Sequence, residues 1–157
     1  MSVEYDLPSI KLLIVDDDTF LIEVLASQLQ QEGFGEILSS VTICDAKKLV
    51  PVFKPDILLL DVNLPDGSGI DFCDFLRQTS FEKPIIMLAG KGSESDVINS
   101  LNAGANDYIT KPVRLGELLA RVKALLRQFK SADSARFIVG PIEFTPANKK
   151  LSMSGKN

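Results

Sequence analysis

Asp16-Asp17-Asp18, Asp61 and Lys111 are the residues of this chain whose types and placement suit phosphate chemistry. Each station follows a short apolar run. Leu12-Leu13-Ile14-Val15 precedes the acid triplet, Ile57-Leu58-Leu59-Leu60 precedes Asp61, and Tyr108-Ile109-Thr110 precedes Lys111-Pro112. Runs this short, continuous and bounded by breakers suit strands buried on both faces. In an open parallel sheet, ligands sit beyond the carboxyl ends of the strands, near the point where strand order reverses. The three stations would then meet as a carboxylate cluster with a cation beside it. Mg²⁺ takes near-octahedral oxygen ligands at about 2.1 Å and usually keeps several waters. Asp17 and Asp61 can be direct ligands, with Asp16 acting through water and the Asn63 carbonyl completing the set. A carboxylate of this group could attack phosphorus, since aspartate serves as a phosphoryl acceptor, and Lys111 could pair with a phosphoryl oxygen. Helix capping, for which Asp is favoured, accounts for one acid among residues 16–18. It does not account for a further acid and a lysine on distant strand ends.

The elements that must position these groups alternate strand and helix. After Asp18, Thr19 to Glu32 carries Leu21, Val24, Leu25 and Leu29 at helical spacing, and Gly33 stops it. Ile37 to Val41 reads as a strand, and Cys44 to Val52 as a short helix closed by Pro55. Asp56 to Leu60 is the third strand, Ile70 to Arg77 a helix with Phe72, Phe75 and Leu76, and Pro84 to Leu88 the fourth strand. Glu94 to Ala103 is helical and ends at Gly104. Asp107 to Thr110 is the fifth strand and Leu115 to Phe129 a long helix. This βα repetition predicts a doubly wound α/β fold with a parallel sheet between two helical layers. Lys130 to Arg136 reads as a linker. Beyond it, Phe137-Ile138-Val139, Ile142-Glu143-Phe144 and Lys150-Leu151-Ser152-Met153 read as short strands.

Composition narrows the function. The 157 residues fit one ordinary domain and a short extra piece, and at 45% hydrophobic residues a sizeable core is available. No apolar stretch approaches the ~18 residues of a membrane span. The acidic start, Met1 to Asp6, lacks a signal-peptide pattern, so a soluble cytoplasmic protein is expected. Cys44 and Cys73 are too few for a disulfide framework or zinc site and read as small buried fillers. The net charge of −4 and the absence of histidine exclude His-based catalysis and argue against nucleic-acid binding by bulk charge.

Val15-Asp16-Asp17-Asp18, the stretch from Leu60 to Gly69 and the stretch from Gly104 to Pro112 together resemble the receiver domain of bacterial response regulators, over about residues 9 to 129. The resemblance implies a flavodoxin-like five-stranded sheet of order 2-1-3-4-5 with five helices. It implies that Asp61 is the phosphoacceptor, that Asp16 and Asp17 arrange Mg²⁺, and that Lys111 senses the phosphate, with Lys111-Pro112 in the cis form that proline permits. Tyr108 stands where the family has a switch aromatic. One position departs from the pattern. The family carries Thr or Ser at the end of the fourth strand, where this chain has Ala89. Labelling of Asp61 should survive, coupling to Tyr108 should weaken, and Tyr108 should take mixed or outward positions.

The run from Asp107 to Pro112 and the run from Glu117 to Lys123 resemble the family branch with winged-helix outputs, the OmpR/PhoB type. That likeness implies a homodimer through the fourth helix, fifth strand and fifth helix, with Ile98, Leu101 and Ala120 as its apolar patch and Asp107 with Arg121 as a charged pair. Glu117 and Lys123 lack their usual partners, since Val97 and Asn102 stand there. Residues 137–157 resemble the start of the output domain, and no recognition helix lies within the sequence. DNA would be reached only through an output domain not in this chain.

The expected function is thus a non-enzymatic signalling receiver that takes phosphate from a sensor histidine kinase and controls transcription. Two other readings compete. A phosphorylation-independent interaction module is favoured by Ala89. A Mg²⁺-dependent phosphatase of the haloacid-dehalogenase-like type could use Asp16 and Asp18, but it leaves Asp61 and Lys111 unused and needs a cap domain.

Overall fold

A computed structural model describes residues 6–90 and 94–139, with side chains described up to residue 130. After a short 3-10 turn at Leu7–Ser9, the order is β1 (Lys11–Val15), α1 (Thr19–Gln31), β2 (Glu36–Ser40), α2 (Ile43–Phe53) and β3 (Ile57–Asp61). It continues with α3 (Gly69–Gln78), β4 (Ile85–Ala89), α4 (Glu94–Asn102), β5 (Asp107–Thr110) and α5 (Leu115–Val139). The five strands form one sheet in the order β2-β1-β3-β4-β5, every neighbouring pair parallel. This is the doubly wound α/β sheet of order 2-1-3-4-5. A two-residue antiparallel ladder, Asn63–Leu64 with Gly67–Ser68, folds the chain between β3 and α3.

The central strands β3 and β4 are buried at every position, as continuous apolar runs covered on both sides must be. Successive residues alternate between faces. Leu13, Val15, Leu58, Leu60, Ile85 and Met87 pack in one cluster with Ala46 and Val50 of α2 and Phe72, Cys73 and Leu76 of α3. Leu12, Ile14, Leu59 and Ile86 point the other way and are equally buried, as are Leu25 and Leu29 of α1 and Leu118 and Val122 of α5.

Local chemistry fixes the helix ends. Asp18 caps α1 by accepting the Leu21 N–H at 3.0 Å, and Gly33 leaves the helix at φ 112°. Thr42 caps α2 and Ser68 caps α3. Lys54 ends α2 at φ 53°, just before Pro55.

Some expectations require correction. Cys44 is exposed and only Cys73 is buried, because Cys44 lies in the first turn of α2 while Ala46 and Val50 face the core. On α1 the inward face is Ile22, Leu25 and Leu29, which leaves Val24 at the surface. Phe75 on α3 is also exposed. Helix α5 continues through residues 130–139, where a linker and the start of a strand were expected. No glycine or proline interrupts that stretch before Gly140-Pro141, and its Ala, Lys and Arg residues favour helix. The chain divides into compact units at Leu126 and Arg127, inside α5. The strands expected at 142–144 and 150–153, and the domain start at 137–157 from residue 140 on, lie outside the described residues.

Candidate functional site

Strand register builds the site. Val15 pairs with Leu60, Asp61 with Leu88 and Ala89 with Thr110. Asp16, Asp61, Ala89 and Lys111 therefore end neighbouring strands in one row. Asp16 is wholly buried and Asp61 nearly so, whereas Asp17 is exposed. Carboxylate oxygens of Asp16, Asp17 and Asp61 lie within 4.8 Å of one another. Lys111 Nζ sits 2.9 Å from Asp16 Oδ2 and 3.4 Å from Asp61 Oδ2. The Lys111-Pro112 peptide is cis.

The surroundings hold these groups in place. Asp16 Oδ1 accepts the Asp18 N–H at 2.9 Å, while Oδ2 is buried and has no partner besides the Lys111 ion pair. Asp61 Oδ1 accepts the Asn63 N–H at 3.4 Å. Burial first, and then repulsion from Asp16, raise the Asp61 pKa above 3.8, against the opposing pull of Lys111 and the Asn63 N–H. Burial disfavours the Lys111 ammonium, but hydrogen bonds and attraction from Asp16 and Asp61 outweigh it and raise its pKa above 10.5.

Three carboxylates around one ammonium leave two negative charges when all are ionised. That excess, the hard oxygen donors and the underused buried oxygen of Asp16 fit a divalent cation such as Mg²⁺. Asp16, Asp17 and Asp61 are the residues that would hold it, with the Asn63 carbonyl one bend beyond Asp61.

Two residues that sequence reasoning passed over shape the loop after Asp61. Asp66 accepts the backbone N–H groups of Ile43 and Cys44 at 2.8 and 2.9 Å, which ties this loop to the N-terminus of α2. Those two hydrogen bonds hold its pKa below 3.8. Gly69 starts α3 against the end of β3, and its N–H donates to Val62 O at 2.6 Å. A Cβ there would stand 1.9 Å from Asp61 O, so only glycine fits. The run Pro65-Asp66-Gly67-Ser68-Gly69 was the available signal.

The other expected residues divide. Ala89 is buried at the end of β4, and its carbonyl accepts the Lys111 N–H at 2.6 Å. Tyr108 does not stand outward as expected. Its half-buried ring packs on the core cluster that includes Ala89, and its hydroxyl is buried without a hydrogen-bond partner. Burial, and secondarily Asp96, raise its pKa above 10.0. Ile98, Leu101 and Ala120 are exposed. Arg121 pairs with Asp107 at 3.0 Å and, one turn back on α5, with Glu117 at 3.1 Å, both within the same chain. Among the described residues, no helix is long and apolar enough to cross a membrane.

Comparison with known proteins agrees with this geometry. Residues 12–123 match the response regulator receiver domain. The chain is 39% identical over 148 residues to the phosphate regulon transcriptional regulatory protein PhoB of Pseudomonas aeruginosa, covering 92% of this chain and 64% of that protein. It is 34% identical over 147 residues to the transcriptional regulatory protein BasR of Escherichia coli, covering 93% and 65%. The chain thus spans less than two thirds of these relatives. Among solved structures, a receiver domain protein from Methanospirillum hungatei superposes with a TM-score of 0.74 at 31% identity, covering 79% of this chain and 99% of that one. The beryllofluoride-activated receiver domain of RstA from Klebsiella pneumoniae gives 0.70 at 32% identity, covering 74% and 98%.

Proposed function

This chain belongs to the response regulator receiver family, and from that premise we propose that it is a phosphorylation-dependent switch acting through Asp61. The observation that carries the reading is the convergence of Asp16, Asp17, Asp61 and Lys111 at adjoining strand ends. A carboxylate oxygen of Asp61 attacks the phosphorus of a phosphohistidine on a sensor kinase. The new O–P bond forms as the P–N bond breaks, and the imidazole leaves with the electron pair. Lys111, already beside Asp61, turns its ammonium to a phosphoryl oxygen. Asp16, Asp17 and Asp61, with the Asn63 carbonyl, are the groups that would hold Mg²⁺, and the ion would supply positive charge to offset that of the attacking carboxylate and the phosphoryl group. The Gly69 contact and the Asp66 tether keep the Asp61 loop from drifting during this step.

The output reading rests on likeness. Relatives named as transcriptional regulators match over more than nine tenths of the chain, a stretch longer than the receiver itself. We assign the exposed Ile98, Leu101 and Ala120, flanked by the Asp107–Arg121 pair, to a homodimer face that conveys phosphorylation to a DNA-binding output. A soluble cytoplasmic location follows from that role. Ala89 supports a second reading, an interaction module that works without phosphate. The phosphatase reading is weaker, since Asp18 spends its carboxylate capping α1.

Intact-mass measurement with acetyl phosphate and Mg²⁺ tests the proposal. One stoichiometric phosphoryl adduct is expected on the wild type and none on Asp61→Asn. Absence of any adduct, or steady phosphate release without one, would overturn it.

A further inference from the structure

We propose that the groove between α2 and α3 binds a small amphipathic anion, an aromatic ring system carrying a sulfonate, carboxylate or phosphate group. The groove encloses about 660 Å³, inside the ~300–1,000 Å³ range of small-ligand sites. Pro51, Phe75 and Phe81 give it an apolar, ring-rich wall. Phe75 stacks on buried Phe72 with centroids 6.3 Å apart yet remains 41% exposed. Part of its surface therefore faces solvent on the groove wall, beside Lys47.

Charge selects the ligand class. Lys47 and Lys54 stand around this one groove, with Lys83 beside them already paired to Asp56, in a chain whose net charge is −4. Lys47 Nζ lies 4.4 Å from the centre of the Phe75 ring, which brings a cation onto the apolar wall where an anionic substituent would reach it. Lys54 is fixed at the groove edge by its left-handed backbone, φ 53°, and by Pro55 after it. The acids nearby are largely committed. Asp66 spends both oxygens on the Ile43 and Cys44 N–H groups. Asp56 takes the Lys11 N–H at 2.9 Å and pairs with Lys83 at 3.7 Å. Glu82 is the remaining acid on the lining. Cations bordering an apolar floor favour anions, repel cations and give a neutral ligand no electrostatic gain. Pro55 and Lys83 precede β3 and β4, so this groove opens at the amino ends of the strands. It is separate from the acid site at their carboxyl ends.

The test uses 1-anilinonaphthalene-8-sulfonate and its uncharged analogue N-phenyl-1-naphthylamine with the full chain. The sulfonate should bind saturably and shift amide resonances within residues 47–55 and 75–83. Lys47→Glu and Lys54→Glu, both at exposed positions, should each weaken it by about fivefold or more. The uncharged dye should bind more weakly than the sulfonate. Resonance changes confined to another face, affinity untouched by both reversals, or equal binding of the two dyes would each overturn the proposal.

Discussion

Lys111 Nζ lies 2.9 Å from Oδ2 of Asp16, a carboxylate with none of its surface exposed. A carboxylate taken fully out of water needs a counter-charge, and here the lysine supplies it before any ligand arrives. In the resting site Lys111 is shared between Asp16 and, at 3.4 Å, Asp61, and on the proposed reading its ammonium would turn to a phosphoryl oxygen after transfer. One ammonium cannot balance three carboxylates, so the cluster of Asp16, Asp17 and Asp61 keeps an excess of negative charge when all are ionised.

That excess predicts metal-linked stability. Mg²⁺ should raise the unfolding temperature by mass action, because the unfolded chain has no assembled carboxylate cluster. Asp17→Asn should weaken Mg²⁺ by about tenfold or more without harming the metal-free fold. Calorimetric titration of both proteins measures this, and equal affinities would remove Asp17 from the ligand set.

The raised pKa of Asp61 predicts a pH dependence with a definite sign. Its native state holds the proton more tightly than the unfolded chain, whose carboxyl has the ordinary value of 3.8. Stability linked to this group is therefore greatest below 3.8 and falls as pH rises through the native pKa, then levels off. Denaturant unfolding of metal-free protein across that window should show the fall, and Asp61→Asn should remove it. For Lys111 the favourable contribution is complete below 10.5 and is lost as pH climbs through its higher native value.

Gly69 offers a purely steric prediction. A methyl group there meets the Asp61 carbonyl at 1.9 Å, which is backbone and can yield only by moving the Asp61 loop. Gly69→Ala should cost about 1–3 kcal/mol or more and slow acetyl phosphate labelling at Asp61. A variant of unchanged stability that labels at the wild-type rate would refute the assignment.

Association is expected to need Arg121. Within one chain it already engages both Asp107 and Glu117, so a symmetric dimer must share or exchange these contacts around Ile98, Leu101 and Ala120. Beryllofluoride with Mg²⁺ should promote a dimer in sedimentation, and Arg121→Glu should suppress it. A strict monomer at high concentration with the mimic present would count against this face.

The strand-end cluster was legible in the sequence because its placement depends on short-range order. Apolar runs fix the strands, and the first polar residue after each run must emerge at a strand end, as Asp16, Asp61 and Lys111 do. Interactions across the sequence were not legible. Asp66 reads locally as a turn residue, and only the fold reveals its bonds to Ile43 and Cys44, more than twenty positions away. Arg77 reads as the end of a helix, yet it donates to the carbonyls of Gly104, Phe81 and Lys83 and to Asn106 Oδ1, pinning the turn before β5. Cys44 was misjudged for a different reason. Its residue type favours burial, but its place in the first turn of α2 puts it on the side of the helix away from Ala46 and Val50. The buried hydroxyl of Tyr108 likewise reflects packing on Met87 and its neighbours, which no local pattern encodes.

Ala89 carries the last prediction. It ends β4 next to the strand position paired with Asp61, and it is almost fully buried. A phosphoryl group on Asp61 would have Lys111 and the metal beside it but no side-chain hydroxyl from β4. A hydrogen bond to a charged group contributes about 1.5–3 kcal/mol, so its absence should lower the bias towards the active state by about ten- to a hundredfold. Labelling depends on Asp61, its ligands and Lys111, and should proceed normally. The resting inward Tyr108 should change little when beryllofluoride is added to the wild type. Ala89→Thr restores the hydroxyl with a β-branched residue that suits a strand, and it should enlarge the ligand-dependent change. The comparison is the chemical-shift and sedimentation response of the two proteins at saturating beryllofluoride. If the wild type already responds in full, this site switches without the hydroxyl, and Ala89 does not limit the signal.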